Sequence, residues 1–224
     1  MRSSAASDVY KRQMNKEINK SANDCSFLNS QVFEEIWQDL PKTTPLCVLN
    51  VGCAGSATVN FFAEYCSSQK CNLFFPDLYS DPFLGGSQPD ILPSTLEKLF
   101  CSMLNLKPGI TLDVCLFWDF FYFLKRTYVK AFIQALRPFL KTSTKAYCIG
   151  SMNIEKMTTF NYGVLDTQHI TQSPRHVDNL PLFGHSIGDL RALLSPFAIS
   201  KVRLMTDGRS EFLLADKAVI KGFR

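Results

Sequence analysis

The segment Leu46-Cys47-Val48-Leu49-Asn50-Val51 runs straight into the turn Gly52-Cys53-Ala54-Gly55-Ser56. A short apolar run without alternation reads as a strand buried on both faces, which requires covering layers on either side. After the turn, Val59, Phe62, Ala63 and Cys66 repeat at i, i+3, i+4 and i+7, the spacing of an amphipathic helix. Strand, glycine turn and helix in this order restrict the chain to an α/β architecture.

The rest of the sequence repeats the alternation. Cys71-Asn72-Leu73-Phe74-Phe75 is a second short strand that delivers Asp77 just past its end, and residues 79–93, rich in Pro, Gly, Ser and Asp, read as a loop. Ser94-Thr95-Leu96-Glu97 has the form of a capping box, opening a helix that buries Leu96, Leu99, Phe100 and Met103 and ends at Pro108-Gly109. Leu112–Trp118 is a further buried strand, followed by Asp119 inside an otherwise apolar path to Leu124. A helix with Tyr128, Phe132, Ala135, Leu136 and Phe139 on one face leads to the strand Lys145–Gly150. Upstream of all these, Phe33, Ile36, Trp37 and Leu40 predict a helix that stops at Pro41.

Residues 151–184 show weak periodicity and read as a partly extended insertion beside the ligand edge of the sheet. A helix over 187–194 is expected to start at Ser186 with Asp189 completing its cap. Ile199–Met205 and Glu211–Ala215, joined at Asp207-Gly208, form a hairpin that puts one antiparallel strand into the sheet. The expected fold is therefore α/β, a doubly wound, mainly parallel Rossmann-like sheet with a C-terminal antiparallel hairpin strand.

Composition narrows the function classes. With 224 residues, of which 46% are hydrophobic and 20% charged, one large core is affordable. Asp8-Val9-Tyr10-Lys11-Arg12-Gln13 back-translates to GAT GTG TAT AAG AGA CAG, the end of a transposon used to prepare sequencing libraries. Residues 1–13 are accordingly expected to be an artefact, Met14 the natural start, and 14–224 a single domain with its core over 46–215. Dropping Arg2, Lys11 and Arg12 against Asp8 removes two net positive charges from the formal +4. The remaining cations are scattered, which disfavours a nucleic-acid partner. Eight cysteines contain no C-x-x-C pair and no histidine at metal-ligand spacing, so no metal site is expected. Cys47, Cys115 and Cys148 lie in apolar runs, fitting a reduced cytoplasm. No hydrophobic h-region follows Met14, and Asp119 breaks the longest apolar stretch, so neither export nor a membrane span is expected.

Val48-Leu49-Asn50-Val51-Gly52-Cys53-Ala54-Gly55 resembles motif I of the class I S-adenosylmethionine-dependent methyltransferases, with Asn50 where an acid is common and Ala54 at a usual glycine. Asp113–Asp119 looks like their fourth strand and motif IV, and the final hairpin like their reversed last pair of strands. The resemblance covers about Leu46 to Ala215. It is closest to a group of bacterial methyltransferase-like proteins sharing Trp-Asp after the fourth strand and Asp-Leu-Tyr after the second, here Trp118-Asp119 and Asp77-Leu78-Tyr79.

The resemblance implies S-adenosylmethionine as cofactor, held at Gly52, Cys53, Ala54 and Gly55, with Asp77 accepting from the ribose hydroxyls and Trp118 near the sulfonium end. It further implies that Asp119, the candidate catalytic residue, orients the substrate or acts as a base. Asp77 as a turn cap and Asp119 as a helix cap are the structural alternatives. Histidine as a residue type suits a general base, so His169, His176 and His185 are candidates, and each also fits a surface or structural role. Arg175 fits either an anion contact or a solvated position. Neither an Asn/Asp-Pro-Pro-Tyr segment nor a Pro-Cys follows the fourth strand, which speaks against methylation of base or glutamine amines and of pyrimidine C5. The reading is methyl transfer to a small molecule. The alternatives are a catalytically silent domain that keeps the fold for binding, and a nicotinamide-type oxidoreductase, which lacks here the third glycine of its fingerprint.

Overall fold

A computed structural model describes residues 26–151, 159–175 and 180–218. Residues 1–13, expected to be an artefact, as well as Met14 and His176, lie outside the described residues.

The strands are β1 (Ser26–Asn29), β2 (Leu46–Asn50), β3 (Cys71–Phe74), β4 (Leu112–Trp118), β5 (Leu140–Ser151), β6 (Phe160–Val164), β7 (His169–Pro174), β8 (Phe197–Leu204) and β9 (Arg209–Asp216). The helices are α1 (Gln31–Glu34), α2 (Ser56–Tyr65), α3 (Pro93–Leu104), α4 (Arg126–Leu136) and α5 (Ile187–Leu193). The main sheet has the order β3-β2-β4-β5-β9-β8. Its first four strands are parallel, and β9 pairs antiparallel with both β5 and β8, so β9 alone runs against the rest. This is the expected α/β Rossmann-like sheet with its reversed hairpin.

Alternate residues of the buried strands serve opposite faces. Leu49, Cys115, Phe117, Ala146, Cys148 and Leu214 pack with α3, α4 and α5, whereas Val48, Val114, Leu116, Tyr147, Ile149 and Leu213 pack with α1 and α2. Both faces are therefore covered, which is why the sequence of these strands shows no polar alternation. The second face carries an extra layer that the sequence did not predict as such. β1, β7 and β6 form a small antiparallel sheet in that order, and Tyr162, Val164 and Ile170 join the core there. It is built largely from the segment read as an insertion.

Several local expectations are corrected. The first helix is only Gln31–Glu34. Phe33, Ile36, Trp37 and Leu40 are all buried, but only Phe33 lies in the helix; Ile36 and Trp37 donate to carbonyls three residues back, in a tight turn. On α2 the buried face is Thr58, Phe61 and Phe62, rotated from the expected one, and Val59 is exposed. Contact with β6 sets that rotation, because the Thr58 hydroxyl accepts from the Val164 amide at 2.9 Å. α3 begins at Pro93 with no side-chain cap, so Ser94 is inside the helix and the capping box is not formed. The box at Ser186 and Asp189 is formed in full.

Candidate functional site

The strand order reverses direction between β2 and β4. The chain moves outward from β2 to β3 on one side and from β4 to β5 on the other. At such a switch point the connections leaving the carboxyl ends diverge and open a crevice, the usual ligand position in open α/β sheets. A cavity of about 280 Å³ lies here, bordered by Gly52 and Cys53 after β2, Asp77 after β3, Trp118 at the end of β4, and Tyr162 and Arg175 from the small sheet.

Gly52 takes a φ of +119°, a conformation L side chains rarely adopt, and a Cβ there would stand 3.3 Å from the Tyr79 ring. Its amide donates to the Pro76 carbonyl at 2.9 Å, tying the turn to the chain that carries Asp77. Cys53 lines the cavity. Ala54 is exposed outside it, and Gly55 flanks α2 with open space where a Cβ would be, so neither borders the cavity. Asp77 is exposed at the cavity mouth.

Trp118 is buried with φ +51°, a costly backbone state for a large residue, which turns its indole toward β2. The indole N–H donates to Asn50 Oδ1 at 3.0 Å, and the ring stacks on Tyr162 with centroids 5.4 Å apart. This explains Asn50. A neutral amide oxygen satisfies the indole in a position 2% exposed, where a carboxylate would bury a charge.

Asp119 does not line the cavity. It is fully buried, accepting from the Tyr79 hydroxyl at 2.8 Å and from Arg175 Nη2 at 3.3 Å, while its Oδ2 has no hydrogen-bond partner. It precedes a 3₁₀ turn over Phe120–Phe123 but makes no cap bond, so the helix-cap alternative is not realised. Burial pushes its carboxyl above the ordinary value, against the opposing pull of Arg175 and Tyr79. Tyr79 is also driven well up, by burial first and then by the Asp119 charge.

Arg175 is the residue whose importance the sequence understated. Its side chain is 2% exposed. The guanidinium lies 3.5 Å from the centre of the Tyr79 ring, with Nε donating to Asn161 Oδ1 at 3.1 Å and Nη2 to the Phe160 carbonyl as well as to Asp119. Burial opposes its charge, but Tyr79 and Asp119 outweigh that, so it stays cationic. Nη1 is buried without a hydrogen-bond partner. A donor of a fixed cation left open beside a cavity is a place for an anionic oxygen.

Of the residues singled out from sequence, the fold thus brings Gly52, Cys53, Asp77, Trp118 and Arg175 to one cavity and leaves out Ala54, Gly55 and Asp119. Asn161 and Tyr162 were missed, and Tyr79 was quoted only as part of Asp77-Leu78-Tyr79 without a role, since only the placement of the small sheet and the loop after β3 makes them neighbours. His169 is at the surface, bonded to Asp166 at 2.8 Å. His185 is buried elsewhere. No helix among the described residues is long and apolar enough to cross a membrane.

No protein-family model matches the chain, nor does any curated protein. Solved structures do. An S-adenosylmethionine-dependent methyltransferase from Clostridium acetobutylicum is similar at 14% identity and a TM-score of 0.45, over 94% of this chain and 98% of that one. A TehB-like SAM-dependent methyltransferase from Corynebacterium glutamicum is similar at 11% identity and a TM-score of 0.44, over 95% and 99%. The pyocyanin biosynthetic protein PhzM is similar at 11% and 0.43 over 83% of this chain, which spans only 54% of that protein. At these scores the likeness adds nothing to the topology already seen in the sheet.

Proposed function

We propose that the chain transfers a methyl group from S-adenosylmethionine to a small-molecule acceptor, with the cofactor in the cavity at the switch point. The observation that carries this reading is the pairing of two opposite groups at one cavity: the open carboxylate of Asp77 and the unpartnered Nη1 of buried Arg175. The cofactor has a ribose diol that needs an acceptor and an amino-acid carboxylate that needs a donor, so the residues present fit it. Asp77 would hold the hydroxyls and Arg175 the carboxylate. Gly52 borders the cavity and carries no side chain, so its backbone can be approached closely.

When bound, this cofactor supplies a methyl group already activated on a positively charged sulfur. The protein's task is then alignment and exclusion of water. Trp118 and Tyr162 form a stacked aromatic wall to the cavity. Asp119, sealed behind Tyr79, acts as a positioning residue: its carboxylate fixes the Tyr79 hydroxyl and one Arg175 nitrogen, while the other nitrogen has no hydrogen-bond partner.

The silent-domain reading keeps one observation in its favour, the absence of Asp119 from the cavity wall. Parallel calorimetric titrations with S-adenosylmethionine, S-adenosylhomocysteine and NAD test the proposal. Binding of the first two without NAD is expected. Binding of NAD alone, or of none, overturns it, and binding without turnover on any acceptor leaves the silent domain.

A further inference from the structure

The border of the switch-point cavity comes from two separate sheets. Gly52, Cys53, Asp77 and Trp118 stand at or just past the carboxyl ends of main-sheet strands, whereas Asn161, Tyr162 and Arg175 stand on or just past strands of the small sheet. Among the described residues no strand of the small sheet pairs with one of the main sheet. No backbone ladder therefore sets the distance between the two halves of the border, and side-chain contacts must do so.

Arg209 makes such a contact. It opens β9 opposite Ser151 of β5, and its carbonyl accepts from the Met205 amide at 2.8 Å, which ties it to the main sheet on both sides. Asp207 in the hairpin turn steadies the side chain. Its carboxylate accepts from Arg209 Nε at 2.8 Å, lies 2.6 Å from Nη2, and also accepts from the Arg209 amide at 3.0 Å. The far end of the guanidinium then crosses to the small sheet. Nη1 donates to the Tyr162 hydroxyl at 3.1 Å and to Gln172 Oε1 at 3.0 Å, and the central carbon lies 5.0 Å from the centre of the Phe160 ring. One main-sheet side chain thus grips β6 at two residues and β7 at a third.

Arg209 is 7% exposed. Burial opposes its charge, but Asp207 and Tyr162 outweigh that, so it stays cationic. Burial pushes the Tyr162 phenol above its ordinary value, and the Asp119 charge adds to this, so the hydroxyl stays neutral. A guanidinium only donates, so the phenol oxygen accepts, in a bond strengthened by the charge on the donor. Tyr162 is thereby held at its hydroxyl by Arg209 and at its ring by Trp118, whose indole is itself held by Asn50. Arg209 is not among the residues that border the cavity.

We infer that Arg209 is a positioning residue for the cavity at the switch point: through the Tyr162 hydroxyl it holds the small-sheet half of the border against Trp118, so ligand affinity depends on a side chain that does not touch the ligand. That the ligand is S-adenosylmethionine rests on the function proposed above.

Arg209→Met removes the donors, and Tyr162→Phe removes the acceptor while keeping the ring. In calorimetric titration of the full chain with S-adenosylmethionine, each variant is expected to bind about tenfold more weakly, the scale of one charge-assisted hydrogen bond. The double variant should bind no more weakly than Arg209→Met alone, because both changes delete the same contact. A second readout needs no ligand. The chain has two tryptophans, and the indole N–H resonance of Trp118, told apart from that of Trp37 by Trp37→Phe, should move in both single variants as the ring stacked on it is released. An arginine that only stabilised the fold would leave affinity and this resonance unchanged in folded samples. Affinity of Tyr162→Phe within a factor of two of the unmodified chain, additive losses in the double variant, or an unmoved Trp118 resonance overturns the inference. Tyr162→Phe decides alone if Arg209→Met does not fold. If the unmodified chain does not bind S-adenosylmethionine, the proposed function fails, and the Trp118 resonance still decides this inference: movement keeps Arg209 as the clamp on the aromatic wall, and no movement removes it.

Discussion

Asp77 and Asp119 follow two strands of the same parallel sheet, β3 and β4, and meet opposite surroundings. Asp77 stands exposed at the mouth of the cavity at the switch point, while Asp119 is fully enclosed by Tyr79 and Arg175. The difference comes from what the chain places on top. The loop after β3 sends Tyr79 over the end of β4, and the end of β7 brings Arg175 across it, so the second acid is roofed and the first is not. An acid at a strand's carboxyl end is therefore not by itself a ligand group. An open one can meet ligand, and a roofed one acts through what it holds.

The largest way to break this comparison is Asp119→Ala, which strands the buried Arg175 guanidinium with only neutral partners. Removing one member of a buried pair should cost about 3–5 kcal/mol of folding stability. Denaturant unfolding measures it, and a loss below 1 kcal/mol would mean that Asp119 does not anchor Arg175. Next is Gly52→Val, where a positive φ and contact with Tyr79 should cost about 1–3 kcal/mol in stability and eliminate S-adenosylmethionine binding. Affinity within a factor of two of the unmodified chain would detach the turn from the site.

A third acid sharpens the contrast at smaller scale. Glu211 is fully buried, accepts from the Ser30 hydroxyl at 2.7 Å, and has an unpartnered Oε1. Burial pushes its carboxyl above the ordinary value. The folded state then holds that proton more tightly than the unfolded chain does. The associated stability is full below about pH 4.3, the unfolded value, and is lost as pH rises through the raised folded value. Glu211→Gln removes this titration, so the variant should gain on the unmodified chain between pH 4 and pH 7, by on the order of 1 kcal/mol. Thermal melts at the two pH values check it, and a constant difference would place the shift elsewhere.

The parallel half of the fold was legible because Leu46–Val51 and Leu112–Trp118 are buried on both sides, and the Asp207-Gly208 turn announced the hairpin. The small sheet was not. The side chains of β1 and β7 are mostly exposed or half-buried, without a regular alternation, so neither strand period stands out. The same gap hid part of the site. Gly52, Cys53, Asp77 and Trp118 adjoin readable strands, but Arg175 reaches Asp119 across 56 residues of sequence, through a sheet whose position no local pattern encodes. The second acid is instructive too. Asp119 stood out in an apolar path, but what roofs it are Tyr79 and Arg175, which no local pattern around Asp119 announces.

The central claim is that the cavity at the switch point binds S-adenosylmethionine with Asp77 on its ribose. Calorimetric titration of the unmodified chain and of Asp77→Ala with S-adenosylmethionine tests this directly, because the exposed Asp77 can be truncated without disturbing the core. The account predicts binding by the unmodified chain and a loss of about 1.5–3 kcal/mol in the variant, roughly ten- to 150-fold in affinity. Equal affinity in both, or no binding by the unmodified chain, would contradict it.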